Sequence, residues 1–223
     1  MMPAPVAAPD PIARICGAGR FVPLYRNRPI GSETIRAEAG PSGRLRVRAE
    51  TEIAVNRFAL RQTVVAGFTD GLRPEWCTVE ATVNSRRMSL DLDVGPDRAV
   101  VRYRSADQDR STKCDLSRPA LLLIDNCFVS HALAALAAAR QPPAASVFLS
   151  LPACEELSVT RPGALKVLLG GQEFAPPALS LHLTPEMDEH VWLRGDWIER
   201  LLIPQTQMRI EWVQSSTLPG GPS

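Results

Sequence analysis

The feature that most constrains this chain is strict alternation. Arg44-Leu45-Arg46-Val47-Arg48-Ala49-Glu50-Thr51-Glu52-Ile53 sets a charged residue at every second place, with an apolar or small one between. Successive side chains of an extended strand point to opposite faces, so this run makes one wet face and one buried face. A helix of the same sequence would carry charge into its apolar stripe at every turn. Arg87-Met88-Ser89-Leu90-Asp91-Leu92-Asp93-Val94 and Gln207-Met208-Arg209-Ile210-Glu211-Trp212 alternate in the same way. Asp91 and Asp93, like Glu50 and Glu52, are expected to face water, and Arg44, Arg46 and Arg48 to form an outer basic row.

Turn signals divide the rest. Asn27-Arg28-Pro29, Asn84-Ser85, Gly95-Pro96-Asp97, Arg161-Pro162-Gly163, Gly170-Gly171 and Arg194-Gly195-Asp196 fall between apolar runs. Gly supplies positive φ, Pro presets φ, and Asn or Asp tolerates the left-handed region. The rhythm predicts about 10–12 antiparallel strands in a barrel or strongly curved half-barrel.

One segment departs from it. The run Asp125-Asn126-Cys127-Phe128-Val129-Ser130-His131-Ala132-Leu133-Ala134-Ala135-Leu136-Ala137-Ala138-Ala139-Arg140 reads as a helix, rich in alanine and with no fixed charge between its ends. Alanine favours helix, Asp125 or Asn126 is expected as the N-cap, and Pro142-Pro143 stop it. A helix apolar on all sides must be buried on all sides. The expected organisation is a flexible arm over 1–19, one domain over 20–213 with this helix inside it, and a flexible tail over 214–223.

Composition mainly excludes. With 25 basic and 24 acidic residues in 223 the net charge is +1, a poor match for nucleic acid. No apolar run reaches the roughly 20 residues of a membrane span. The first residues lack the basic region of a secretory signal, so a cytoplasmic setting is expected. The five cysteines, Cys16, Cys77, Cys114, Cys127 and Cys154, form no CxxC pair. Their odd number, with no export signal, predicts reduced buried thiols.

No sequence motif carries catalysis. Gly17-Ala18-Gly19 precedes a strand-like run rather than a helix, so it is no dinucleotide loop. Three isolated histidines, His131, His182 and His190, lack metal-ligand spacing, so no metal and no cofactor are expected. Ser130 stands outside a nucleophile elbow, and no Ser-His-Asp triad can be composed. The candidate ligand-binding residues are Tyr25, Trp76, Tyr103, His131, Trp192 and Trp212, because aromatic rings join an apolar face to a polar handle. Parity sets Trp212 with Met208 and Ile210, and Tyr103 with Ala99 and Val101, on the inner face.

The strand–helix–strand order resembles the bacterial lipoprotein-carrier half-barrels. It looks most like bacterial domains of unknown function believed to share that architecture. The residues bearing this resemblance are Tyr25-Arg26-Asn27-Arg28-Pro29-Ile30-Gly31, Asp125-Asn126 leading into Ser130-His131, and Val191-Trp192-Leu193 running into Ile203-Pro204. The resemblance implies a curved sheet wrapping a helical plug around an apolar cavity, and brings no catalytic residue with it. The expected function is binding of a hydrophobic or lipid-like small molecule. The alternative is a cofactor-independent cyclase or isomerase acting on an apolar substrate.

Overall fold

The computed structural model describes residues 19–40, 43–116, 120–140, 147–151, 158–160, 166–184, 187–195 and 197–214. Ten strands precede the helix: β1 (Gly19–Tyr25), β2 (Arg28–Pro29), β3 (Gly31–Ala39), β4 (Leu45–Val55), β5 (Phe58–Phe68), β6 (Pro74–Val83), β7 (Arg86–Val94), β8 (Arg98–Ser105), β9 (Asp109–Asp115) and β10 (Ala120–Ile124). Helix α1 spans Phe128–Arg140. Eight strands follow: β11 (Val147–Leu151), β12 (Ser158–Thr160), β13 (Val167–Leu169), β14 (Gln172–Phe174), β15 (Leu179–Thr184), β16 (Met187–Arg194), β17 (Trp197–Ile203) and β18 (Met208–Gln214). The count exceeds the expected 10–12 in part because four strands, β2, β12, β13 and β14, are only two or three residues long, below the reach of a periodicity argument.

Most strands form one antiparallel sheet in the order β12-β15-β16-β17-β18-β1-β3-β4-β5-β6-β7-β8-β9, with β2 beside β1. Neighbours in sequence are mostly neighbours in space. The exception is β1, which pairs along its whole length with β18 and so joins the two arms of the sheet. The end strands β12 and β9 do not pair with each other, so the curved sheet is a half-barrel, not a closed barrel.

Alternation in sequence becomes alternation in burial. Strand β4 is buried at Leu45, Val47, Ala49, Thr51 and Ile53 and exposed at the intervening charges. Asp93 is exposed and pairs with Arg102 on the outer face at 2.9 Å. The turns use the expected chemistry. Arg26-Asn27, Asn84-Ser85 and Gly170-Gly171 each have two successive residues with positive φ, the hairpin conformation that matches strand twist. Asn56 also has positive φ, in a turn the sequence reading passed over.

Helix α1 lies on the inner face, with every residue from Phe128 to Ala138 buried. Its core joins residues of both arms, among them Phe21, Val47, Val64, Leu92, Val101, Leu181, Val191, Leu201 and Ile210. Strands β10 and β11 flank it and pair in parallel, so β10-α1-β11 is a βαβ unit within an otherwise antiparallel chain. All five residues of β10 are buried, as befits a strand covered on both faces. A smaller core lies on the outer face. There the β13–β14 hairpin packs Val167, Leu169 and Phe174 onto Leu202 and Trp192.

The expectation of uniformly reduced thiols holds at Cys77 and Cys127, which are free and buried. It fails at Cys114, which is disulfide-bonded. Residue spacing cannot reveal a pairing made by the folded chain. Cys16, Cys154, Pro142-Pro143, Arg161-Pro162-Gly163, Asp196, the expected arm over 1–19 except Gly19, and the expected tail over 214–223 except Gln214, lie outside the described residues; Gly19 and Gln214 pair across β1 and β18.

Gly31 shows how tightly β3 and β4 approach. A Cβ there would lie 1.9 Å from the Glu52 carbonyl oxygen, a backbone atom that cannot swing aside. Gly31→Ala is therefore expected to cost roughly 2–3 kcal/mol and to lower Tm by several degrees, measured by thermal denaturation.

Candidate functional site

One row across the inner face organises the candidate site. Its register runs Trp212 to Phe21, Phe21 to Glu33, Glu33 to Thr51, and Thr51 to Gln62. The row is aromatic where the two arms meet and polar beneath the first turn of α1.

The expected N-cap is corrected by the structure. Asn126 takes a left-handed conformation and the helix begins at Phe128, so neither Asp125 nor Asn126 caps it. The acceptor is Glu33, on β3. The Phe128 and Val129 amides donate to its Oε2 and Oε1 at 2.8 and 2.7 Å, and the Thr51 hydroxyl donates to Oε2 at 2.8 Å. A helix start leaves amide groups without intrahelical partners, and a carboxylate there also suits the helix dipole. Glu33 is fully buried. Burial raises its pKa, the three hydrogen bonds pull it part of the way back, and it stands at about 7.

A second carboxylate holds the same turn from the other arm. Glu189 on β16 is fully buried and its Oε2 lies 2.6 Å from His131 Nδ1. The other ring nitrogen, Nε2, is 3.2 Å from the Ile124 carbonyl oxygen. Both partners are acceptors, so both ring nitrogens carry protons and His131 is an imidazolium. Burial favours the neutral ring, but the charge and hydrogen bond of Glu189 outweigh it, and the pKa rises to about 9. With both N–H groups committed, the ring anchors the helix and has no free proton to transfer. Glu189 Oε1 is buried without a hydrogen-bond partner among the described residues.

Aromatic rings gather beside this anchor. Phe21 meets Trp212 edge-on at 4.9 Å, Trp197 at 6.2 Å and Phe128 at 6.4 Å, and Trp197 meets Trp212 at 5.3 Å. Phe21 is fully buried while both indoles are partly exposed, so the cluster opens to solvent through Trp197 and Trp212. Trp197 Nε1 is buried and has no hydrogen-bond partner among the described residues.

Of the residues singled out from sequence, the structure brings Trp212 into this cluster. Tyr25 follows Phe21 on the same face of β1, opposite Met208. Tyr103 lies on the inner side of β8, near the free edge, with Arg110 over its ring. His131 is in the helix anchor. Trp76 lies over Gly67 on the outer face. Trp192 is also on the outer face, beside Phe174, and donates from its indole to the Ala175 carbonyl oxygen. The six are thus not one site. Sequence reading missed Glu33, Phe21, Glu189 and Trp197. Glu33 and Glu189 look like surface carboxylates in sequence. The one available signal was parity: Glu33 shares its strand face with Ile35 and Ala37.

The outer face has an open depression of about 820 Å³ across β4–β8, walled by charged and hydroxyl side chains such as Glu50, Glu80, Arg61, Arg87 and Thr63. Among the described residues no group of histidine, cysteine and carboxylate side chains could hold a metal ion. No described helix is long and apolar enough to cross a membrane.

No family model matches the chain, and no curated protein matches it. Among solved structures, it is similar to a β-barrel-like protein of the domain of unknown function DUF1849 from Brucella abortus. That similarity has a TM-score of 0.49 at 7% identity and covers 89% of this chain and 94% of the other.

The helix anchor makes stability depend on pH. Glu33 and His131 both have raised folded pKa values, so each stabilises the fold fully below its unfolded pKa and loses that effect as pH rises through the folded one. Tm is expected to fall as pH rises from about 5 to about 9. In thermal melts across pH, Glu33→Gln should flatten the lower part of this slope and His131→Gln the upper part. An unchanged slope in both variants would refute the assignment.

Proposed function

We propose that the chain binds a hydrophobic or lipid-like small molecule on the inner face of its half-barrel, at Phe21, Trp197 and Trp212. The observation that carries this reading is the aromatic cluster itself. It sets two partly exposed indoles against a buried ring. Ligand sites are mainly apolar, and the partly exposed faces of two indoles offer such a surface. Tyr25, on the same strand face, extends the apolar surface past Ile210 and Met208.

The cyclase or isomerase alternative has one observation in its favour. Glu33 neighbours Phe21 and titrates near neutrality, as a general base would. Its oxygens already accept bonds from the helix and Thr51, so binding is the better reading. The disulfide at Cys114 favours an oxidising compartment over the cytoplasm expected from the sequence, because such bonds are rare where thiols are kept reduced.

Titration with dibromostearate, whose bromines quench tryptophan on contact, is expected to reduce fluorescence saturably. Trp212→Phe and Trp197→Phe should each remove a large share of the quenching, while Trp76→Phe should leave it unchanged. Absence of saturable quenching would refute the proposal.

A further inference from the structure

Two of the three histidines lie on the outer face of β15 and β16, far in function from the helix anchor, and both are bonded to hydroxyl groups. His182 pairs across the strands with Asp188, and Ser180 with His190. Asp188 Oδ1 is 2.6 Å from His182 Nδ1, and Thr160 Oγ1 on the terminal strand β12 is 2.9 Å from His182 Nε2. The carboxylate fixes the proton on Nδ1, so Nε2 accepts from the threonine hydroxyl. Hydroxyl, imidazole and carboxylate thus stand in the order that activates a nucleophile. Ser180 Oγ lies 2.7 Å from His190 Nδ1 in the adjoining pair.

Two further observations bear on the use of this relay. It is open to solvent: Thr160 is exposed, and the His182 and Asp188 side chains are 36% and 37% exposed. The ladder between β15 and β16 also shifts register between His182 and Thr184. Such irregularities re-aim side chains and are frequent beside active sites.

We infer that Thr160, His182 and Asp188 form an acyl-transfer site that hydrolyses small neutral esters, with Thr160 as nucleophile, His182 as base and Asp188 as positioning residue. Its open face admits a short acyl group, and the Asp188 charge disfavours an anionic one. Thr160 Oγ1 attacks the ester carbonyl carbon while His182 Nε2 takes the hydroxyl proton. The carbon–oxygen bond to the alcohol then breaks, and the alcohol leaves with that proton. Water attacks the acyl-threonine, giving its proton to His182, which returns it to Thr160 as the carboxylic acid departs. This site is independent of ligand binding on the inner face.

The test is hydrolysis of p-nitrophenyl acetate by the full chain, with intact-mass and peptide mapping of the acylated protein. Acetyl label on Thr160 is expected, with kcat/KM reduced about 100-fold or more in Thr160→Ala and His182→Gln. Thr160→Ser should retain activity with the label on the serine, which separates chemistry from folding. Asp188→Asn should shift the pH–rate profile while the melting curve is preserved. A Thr160→Ala variant that melts like the parent and hydrolyses as fast would overturn the inference, since imidazole alone would then explain the rate. So would label confined to other residues, or no hydrolysis above that of free imidazole.

Discussion

The structure depends on satisfying the first turn of one buried helix. The helix is buried on every side over Phe128 to Ala138, yet its leading amides still need acceptors. Glu33 reaches them from β3. Glu189 holds His131 in the same turn from β16. The two strands belong to different arms of the sheet, so polar bonds and apolar packing together fix how the arms enclose the helix. Removing either partner would leave a buried polar group unpaired, which costs more than the bond itself contributes.

Joining β1 to β18 has a similar role. It turns two runs of hairpins into one sheet and aligns Phe21 with Trp212. The aromatic cluster therefore sits at the seam between chain ends, next to the Glu33 row. The same fold presents its chemistry on two faces. The inner face is apolar with buried charges, and the outer face of the C-terminal arm holds exposed hydroxyl, imidazole and carboxylate groups at hydrogen-bond distance. Strand alternation makes this separation automatic, since Glu189 and His190 are adjacent in sequence yet lie on opposite faces of β16.

Much of the fold was legible beforehand. The charged alternation of β4, the Asn84-Ser85 turn and the burial of the alanine-rich helix emerged as local physics predicts, while the helix starts at Phe128, later than expected. The N-cap did not, because capping by a residue 95 positions away leaves no local trace. The parallel pairing of β10 and β11 escaped notice because a fully buried strand has no alternation to read. The candidate site was less legible: parity assigned Trp212 and Tyr103 to the inner face, but could not say which aromatic rings would meet.

The sequence by itself determined the wet and buried faces of the long strands, the hairpin turns and the enclosure of the helix. These depend on contacts between near neighbours and on whether a side chain is charged. Tertiary structure alone decided that Glu33 would cap α1, that His131 would be a cation, that Cys114 would be disulfide-bonded, and that Thr160, His182 and Asp188 would stand in line. Each of these depends on which distant strands pair and in what register, and that choice is made by the free energy of the whole core.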